Sequence, residues 1–200
     1  MISDLDDSLT TLLKQQLPPA IVSSTQISFD APDNQFPPTG VTLPAINLFL
    51  YDVRENMDLR AVDWIIDKPE SGNLVKYPPP VRVDCAYLVT AWPSDGSTTR
   101  ARDEHLLLSE VMQVLLRFPI IPNDVLSGEL VGQTPPLPAM SLGPGRLQSV
   151  AEFWQALGGK PKAALTLIVT IGVAVAQTAD GGPPIQDRIF SVSQGATPPS

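Results

Sequence analysis

The single histidine of the chain, His105, is the residue best suited to acid–base chemistry, because an imidazole titrates near neutral pH. Asp103 and Glu104 precede it, and Ser109 follows four residues later. On a helix only Ser109 would share a face with His105, whereas a direct neighbour points about 100° away. One hypothesis is therefore a small hydrolase or transferase that uses His105 with Ser109 or Glu104. We favour the structural alternative, a packed or solvent-edge histidine.

Other patterns for catalysis or ligand binding are incomplete. Cys85 is the only cysteine, so an internal disulfide and a Cys/His zinc site are both excluded, and its strand position predicts a small core residue. Gly159-Lys160 resembles the end of a phosphate loop, but Pro161 replaces the hydroxyl residue and Trp154 the first glycine. The acidic residues are scattered along the chain. We therefore expect no catalytic residue, no metal and no cofactor.

Five arginines make up a second type of candidate site, an interface with a protein partner. A guanidinium suits recognition of acidic protein surface, and arginine is enriched at protein interfaces. The alternative is a solvated face, because isolated surface charges contribute little to stability. The five, all at positions of exposed type, are Arg54, Arg60, Arg82, Arg100 and Arg102.

The composition is that of a folded acidic protein. The chain has 200 residues, 43% of them hydrophobic, and a formal net charge of −8. This length fits one domain. With 13 basic against 21 acidic residues, it is a poor candidate for nucleic-acid binding, which needs clustered lysine and arginine. Of the 22 prolines, 14 occur in clusters that break elements and stiffen loops, which suits a part of an assembly better than a moving lid.

We expect neither a secretory signal nor membrane insertion. The N-terminal residues are acidic and polar. The longest apolar run, residues 163–176, is shorter than the roughly 20 residues of a membrane helix. It is rich in valine, isoleucine and threonine, which favours a strand.

Hydrophobic periodicity predicts most of the secondary structure. An amphipathic helix over residues 3–16 has Ser3 as its cap, and Pro18-Pro19 ends it. The clearest unit is a strand over 81–92 that is followed by a helix over 100–117. The other predicted elements are strands at 26–29, 45–53, 62–66, 140–142, 163–176 and 188–192, and a short helix at 150–157 with a capping box at Ser149.

Some apolar side chains on these elements are expected in the core. The helix over 100–117 should bury one face, and tryptophans are more often core residues than interface hot spots. The predicted core positions of this helix are Leu107, Leu108, Val111, Met112, Leu115 and Leu116. The tryptophans are Trp64, Trp92 and Trp154.

These elements predict an α+β fold with a mixed, mostly antiparallel sheet that carries helices on one face. The strand over 45–53 should be central, because both of its faces are largely apolar. We expect a single domain over residues 1–192 and a flexible tail over 193–200.

Four segments of the chain, taken in order, resemble a known family. They are LPAINLFLYDVREN, PPVRVDCAYLVTAWP, EHLLLSEVMQVLLRFPIIP and EFWQALGGKPKAALTLIVTI. The most specific pieces are Thr90-Ala91-Trp92, Glu104-His105-Leu106-Leu107 and Phe153-Trp154-Gln155-Ala156-Leu157. The family is that of the cap, or tail-terminator, proteins of phage-tail-like contractile injection systems, and the resemblance spans residues 47–171.

The resemblance implies a structural role without enzymatic activity. Such proteins form a hexameric ring at the end of the tube and sheath opposite the baseplate, fix particle length and hold the last sheath layer. The resemblance also implies a homohexamer whose partners are the sheath and inner-tube proteins. It places the chain in the bacterial cytoplasm as part of an assembled particle, which is free, membrane-anchored or released by lysis. Some caps carry extra domains, and we expect none here. The alternative is an adaptor that anchors the particle end to a membrane or envelope partner.

A cap of this family would pair with the exchanged strands of the sheath, which is strand addition. The first candidate is the predicted terminal strand Arg188, Ile189, Phe190, Ser191 and Val192, and residues 21–30 are the second. The alternative is that the terminal strand completes the chain's own sheet. Contacts with the ring or the tube are assigned to the five arginines.

Overall fold

The computed structural model describes residues 1–34, 36–67, 74–143, 150–175 and 179–180. These residues form two compact units. The main unit comprises the described residues of 1–60 and 81–173, and the small unit those of 61–80 and 174–180. The domain expected over 1–192 and the tail over 193–200 extend beyond the described residues, so both stay predictions.

The long elements begin and end close to their predicted bounds. In chain order the elements are α1 (Ile2–Gln16), α2 (Pro19–Val22), β1 (Gln26–Ser28), β2 (Ala45–Glu55), β3 (Ile65–Asp67), β4 (Val75–Tyr77), β5 (Val81–Trp92), α3 (Arg100–Arg117), β6 (Ala139–Ser141), α4 (Val150–Ala156), β7 (Ala164–Val173) and β8 (Ala179–Asp180). Short 3₁₀ turns lie at Met57–Leu59, Asn123–Val125 and Gly128–Leu130. The strand predicted at 188–192 and the capping residue Ser149 lie outside the described residues.

Helix α1 is amphipathic, as its leucine spacing predicts. Its buried apolar side chains are Leu5, Leu9, Leu12 and Leu13, and Leu17 is buried just after it. The predicted cap is wrong, because Ser3 lies inside the helix. The first helical hydrogen bond already runs from Leu5 N to the Met1 carbonyl at 3.1 Å, so the helix begins before Ser3.

The main unit is built on a five-stranded sheet with the order β1-β2-β5-β7-β6. β1 and β2 run parallel, and the other neighbouring pairs are antiparallel. The register places Ala45 opposite Trp92 and Thr90 opposite Ala164. The predicted α+β fold with a mixed, mostly antiparallel sheet is confirmed.

Helices α1 and α3 cover one face of this sheet and enclose the core. α3 contributes Leu107, Val111, Val114 and Leu115. Leu116, a predicted core position, is instead 52% exposed. Successive residues of a helix point about 100° apart. From Leu115, Val114 is turned toward the buried stripe, whereas Leu116 is turned away from it.

The short helix α4 packs against the opposite face of the sheet. The Phe153 ring centroid lies 6.2 Å from that of Phe49 and 6.0 Å from that of Tyr51. Trp154 is fully buried, as expected. Gly158 follows the helix with a φ of +69°, a left-handed conformation in which a side chain would be strained.

The small unit is a three-stranded antiparallel sheet with the order β3-β4-β8. Its first strand begins at Ile65, later than predicted. Trp64 is 55% exposed, so the expectation that it is a core residue is wrong. A sheet of such short strands offers too little apolar surface to enclose a tryptophan ring. Within the described ranges, no helix has the length and apolar character needed to span a membrane.

Candidate functional site

His105 lies on the exposed side of α3. The Ser109 hydroxyl donates to the backbone carbonyl of His105 at 2.6 Å, not to its ring. Glu104 is held by Lys162, whose Nζ lies 2.5 Å from the carboxylate. The cavity beside His105 measures about 160 Å³, below the roughly 300 Å³ at which small-molecule sites begin. The residues around His105 thus lack the nucleophile–base contact of a catalytic site, and His105 is a solvent-edge residue.

Cys85 is a core residue, as its strand position predicts. Its side chain is fully buried and forms no disulfide. Burial raises the pKa of its thiol to about 11, and the nearby Asp6 and Asp84 carboxyl groups add to the shift. A thiol in this environment is a poor nucleophile. In the part of the chain that the structure describes, no three His, Cys, Asp or Glu side chains converge as metal ligands.

The four exposed candidate arginines lie in two pairs at opposite ends of the main sheet. Arg54 and Arg60 are at the end of β2, where Arg54 pairs with Asp52 at 2.8 Å and Arg60 with Glu55 at 3.4 Å. Arg100 and Arg102 are in the first turn of α3, which follows the other end of β5. They therefore cannot act as one arginine cluster. Their role in ring or tube contacts stays a prediction.

Arg82 is not exposed, so this part of the prediction is wrong. Its side chain is 4% exposed, and its guanidinium donates to the Pro135 and Pro136 carbonyls at 3.5 and 3.3 Å. Burial lowers the pKa of Arg82, and the negative charge of Asp84 opposes that shift. Alternation along β5 identifies the face on which Arg82 lies but not the loop that covers that face.

Asp84 connects β5 to the 3₁₀ turn after β2. Its Oδ1 accepts a hydrogen bond from the Thr170 hydroxyl at 2.6 Å and one from the Asn56 side-chain amide at 3.0 Å. Asn56 in turn accepts from Leu59 N at 3.0 Å and so caps the turn Met57–Leu59. Buried polar groups therefore hold an exposed turn in place. The sequence analysis did not predict this turn, and the two bonds to Asp84 join residues far apart in the chain.

The β6 edge of the main sheet is covered. Ala139 N donates to the Pro119 carbonyl at 2.8 Å, and Ile121 N donates to the Leu137 carbonyl at 2.9 Å. Beyond β6, the Gln133 side-chain amide donates to the Gly172 carbonyl at 2.6 Å and accepts from Gly172 N at 2.7 Å. The Gln133 side chain thus makes the two hydrogen bonds that a neighbouring strand would otherwise make to Gly172. Strand addition at this edge is thereby blocked.

The β1 edge is open among the described residues. Gln26 N donates to the Pro44 carbonyl at 3.0 Å, and Gln26 is opposite Ala45 in the parallel register. Alternate residues of such a ladder face the partner strand, so the N–H and C=O of Ile27 point away from β2. No described strand lies beyond β1. This edge falls within residues 21–30, the second sequence candidate for strand addition.

A groove of about 400 Å³ lies beside the start of β1 and the first turns of α3. Its apolar lining comes from Ile21, Pro44, Pro93, Leu106 and Leu107. Its charged lining residues, Asp103 and Glu110, are both acidic. The Asp103 carboxylate accepts from the Ser97 and Thr99 hydroxyls, whereas Glu110 makes no hydrogen bond or ion pair within the described ranges. Sequence patterns missed this groove, since α2 was not predicted.

Residues 4–187 match the family described as the Pvc16 N-terminal domain. The chain belongs to this family. No curated protein sequence matches it. The resemblance to tail-terminator proteins that the four sequence segments carry is confirmed.

Two solved structures are similar to this Pvc16 N-terminal domain. One is the sheath/tube terminator, in the extended state, of PVC, an extracellular contractile injection system; it has a TM-score of 0.67 and 25% identity over 98% of this chain and 64% of that chain. The other is the tube-terminating cap of the anti-feeding prophage, with a TM-score of 0.65 and 20% identity over 96% of this chain and 62% of that chain. The second likeness concerns the fold alone. The chain spans less than two thirds of the length of either protein.

Proposed function

We propose that this chain is the cap of a contractile injection system and that it acts by binding, not by catalysis. The cap terminates the tube and sheath at the end distal to the baseplate, fixes the length of the particle and holds the last sheath layer. The observation that carries the proposal is the likeness of 98% of the chain to a sheath/tube terminator, at a TM-score of 0.67. Membership of the Pvc16 N-terminal domain family supports it.

The cap works as a ring of six copies that contacts both the tube and the sheath. A ring of identical subunits needs two different surface patches on each copy. The main unit offers distinct surfaces at the two ends of its sheet, each with a pair of exposed arginines. Assembly takes place in the bacterial cytoplasm.

The sheath contact is strand addition at the open β1 edge. The free N–H and C=O of Ile27 can bond to a sheath strand, while the β6 edge is closed by Gln133 and by residues 119–121. The terminal strand at 188–192 lies outside the described residues and stays a second candidate. Ile27→Pro tests the β1 edge, because it removes an outward N–H and keeps the bonds to β2. Loss of the sheath from rings that still form supports this contact, and an unchanged sheath excludes it.

Electron microscopy tests the proposal directly. The purified chain should form six-fold rings, and deletion of its gene should give sheaths of unregulated length or sheaths that fall apart. Particles of normal length and stability in the deletion strain would overturn the proposal. Particle fractions that carry the chain only when membranes are present would instead favour an envelope adaptor.

A further inference from the structure

Met57 and Arg60 form one exposed feature of the main unit, which we call the knob. Met57 begins the 3₁₀ turn and Arg60 caps its end, three residues later, so their side chains lie on the same side of the turn. Arg60 Nη1 lies 4.0 Å from Met57 Sδ, and Met57 is 62% exposed. Asp58 is turned about 120° away from them. The knob is therefore an apolar tip beside a guanidinium whose only described ion pair is the exposed one with Glu55, on a turn that the Asn56 cap and the buried Asp84 hold rigid.

The groove beside α3 has the chemistry that this knob requires. Its apolar lining includes Leu106, which is 57% exposed and has no described partner that covers it. The charges in its lining are the carboxylates of Asp103 and Glu110, so it favours a cation next to an apolar side chain. Methionine and arginine are both enriched at the centres of protein interfaces. A rigid turn also loses little conformational entropy when it binds.

The knob of one copy cannot reach the groove of the same copy. Glu55, two residues before the knob, is opposite Val83, whereas the groove begins at Pro93. The ten residues of strand from Val83 to Pro93 span roughly 33 Å. The two surfaces therefore lie at opposite ends of the main unit and can meet only between different copies.

We propose that neighbouring copies join head to tail, with Met57 and Arg60 of one copy in the groove of the next. This inference rests on the proposed cap function and specifies the contact that closes its ring. Met57 packs on Leu106 and Leu107. Arg60 exchanges its exposed ion pair with Glu55, at 3.4 Å, for one with Glu110 of the next copy. The interface is heterologous, because it uses a different patch on each side, and such an interface repeats until the ring closes.

The test uses sedimentation velocity of the purified 200-residue chain and its variants. Met57→Glu disables the knob, and Leu106→Glu disables the groove. Matched controls are Met140→Glu on β6, where the side chain is 47% exposed, and Leu116→Glu on the same helix α3. Circular dichroism checks that each variant folds. Loss of a central interface side chain should weaken self-association by roughly thirtyfold or more.

Each single variant should sediment as a monomer at concentrations where the wild type and both controls form rings. An equimolar mixture of Met57→Glu and Leu106→Glu keeps one intact knob and one intact groove, so it should form dimers that do not grow further. Rings that form normally with both variants would overturn this contact and leave the cap function standing. A wild-type chain that never assembles, alone or on tube ends, would contradict the ring itself.

Discussion

The hydrogen bond between Tyr87 and Asp6 should stabilise the fold more at neutral pH than at acidic pH. Tyr87 is fully buried on β5, and its hydroxyl donates to Asp6 Oδ1 on α1 at 2.8 Å. A hydrogen bond to a charged group contributes about 1.5–3 kcal/mol, and one to a neutral group about 1 kcal/mol. Asp6 is only half-buried, so we expect Tyr87→Phe to lower the free energy of unfolding by about 1.5 kcal/mol at neutral pH and by about half of that in acid.

The pH dependence of Asp6 itself has a defined sign. Burial raises the pKa of Asp6 above its ordinary 3.8, although the Tyr87 hydrogen bond opposes the shift. The folded state then binds the proton more tightly than the unfolded state, so the free energy of unfolding falls as pH rises from 3.8 through the raised pKa. Asp6→Asn keeps an acceptor for Tyr87 and removes this loss. Its stability relative to the wild type should therefore increase across that window and level off above it.

Urea unfolding of the wild type, Tyr87→Phe and Asp6→Asn across this pH range measures both effects. The hydrogen bond to the Met1 amine is the main cause that lowers the pKa of Asp4. Asp4 therefore gives the stability an opposite pH dependence, which cancels in the comparison because all three proteins share it. Tyr77→Phe is the matched control, since the Tyr77 hydroxyl makes no hydrogen bond within the described residues. If Tyr87→Phe lowered the free energy of unfolding equally at neutral and acidic pH, that result would refute the reasoning.

Three further variants and one labelling experiment test the packing. Trp154→Ala should lower the free energy of unfolding by about 3–5 kcal/mol, because it leaves a cavity in place of a fully buried ring, and a loss under about 1 kcal/mol in urea titrations would contradict this. Asp84→Ala should lower it by about 3–5 kcal/mol, since it removes the acceptor of Thr170 and Asn56 and the negative charge beside the buried Arg82, whereas Asp95→Ala at the exposed ion pair with Arg100 should cost under about 1 kcal/mol. Gly158→Ala should cost about 1 kcal/mol at its left-handed φ, and thermal unfolding that is unchanged would argue against that backbone. Cys85, buried and with a raised thiol pKa of about 11, should react with a disulfide reagent only after unfolding, so rapid labelling of native protein would disprove its burial.

The long elements of the main unit were predictable because each repeats one period over many residues. β5 has the predicted bounds, Val81–Trp92, and α3 has the predicted bounds, Arg100–Arg117. The short strands β4 and β8 were missed. Val75 is opposite Asp180, so this pairing depends on residues far apart in the chain and leaves no local periodicity in either strand.

The candidate site was less predictable than the fold. Periodicity assigned Arg82 to one face of β5 but could not reveal the loop that covers it. The groove was not predictable because separate segments assemble it: α2, the residue before β2, the loop after β5 and α3. An Asn just before an exposed Met and Leu, as in Asn56-Met57-Asp58-Leu59, is a local signal that could have identified the capped turn.

The most direct test of the cap function is to locate the chain on intact particles. Cryo-electron microscopy of particles that carry a gold-labelled affinity tag on this chain would show its position. We predict label only at the end distal to the baseplate, on a six-fold ring that closes the tube and contacts the last sheath layer. Label at the baseplate, label along the sheath, or complete particles without the chain would contradict the account.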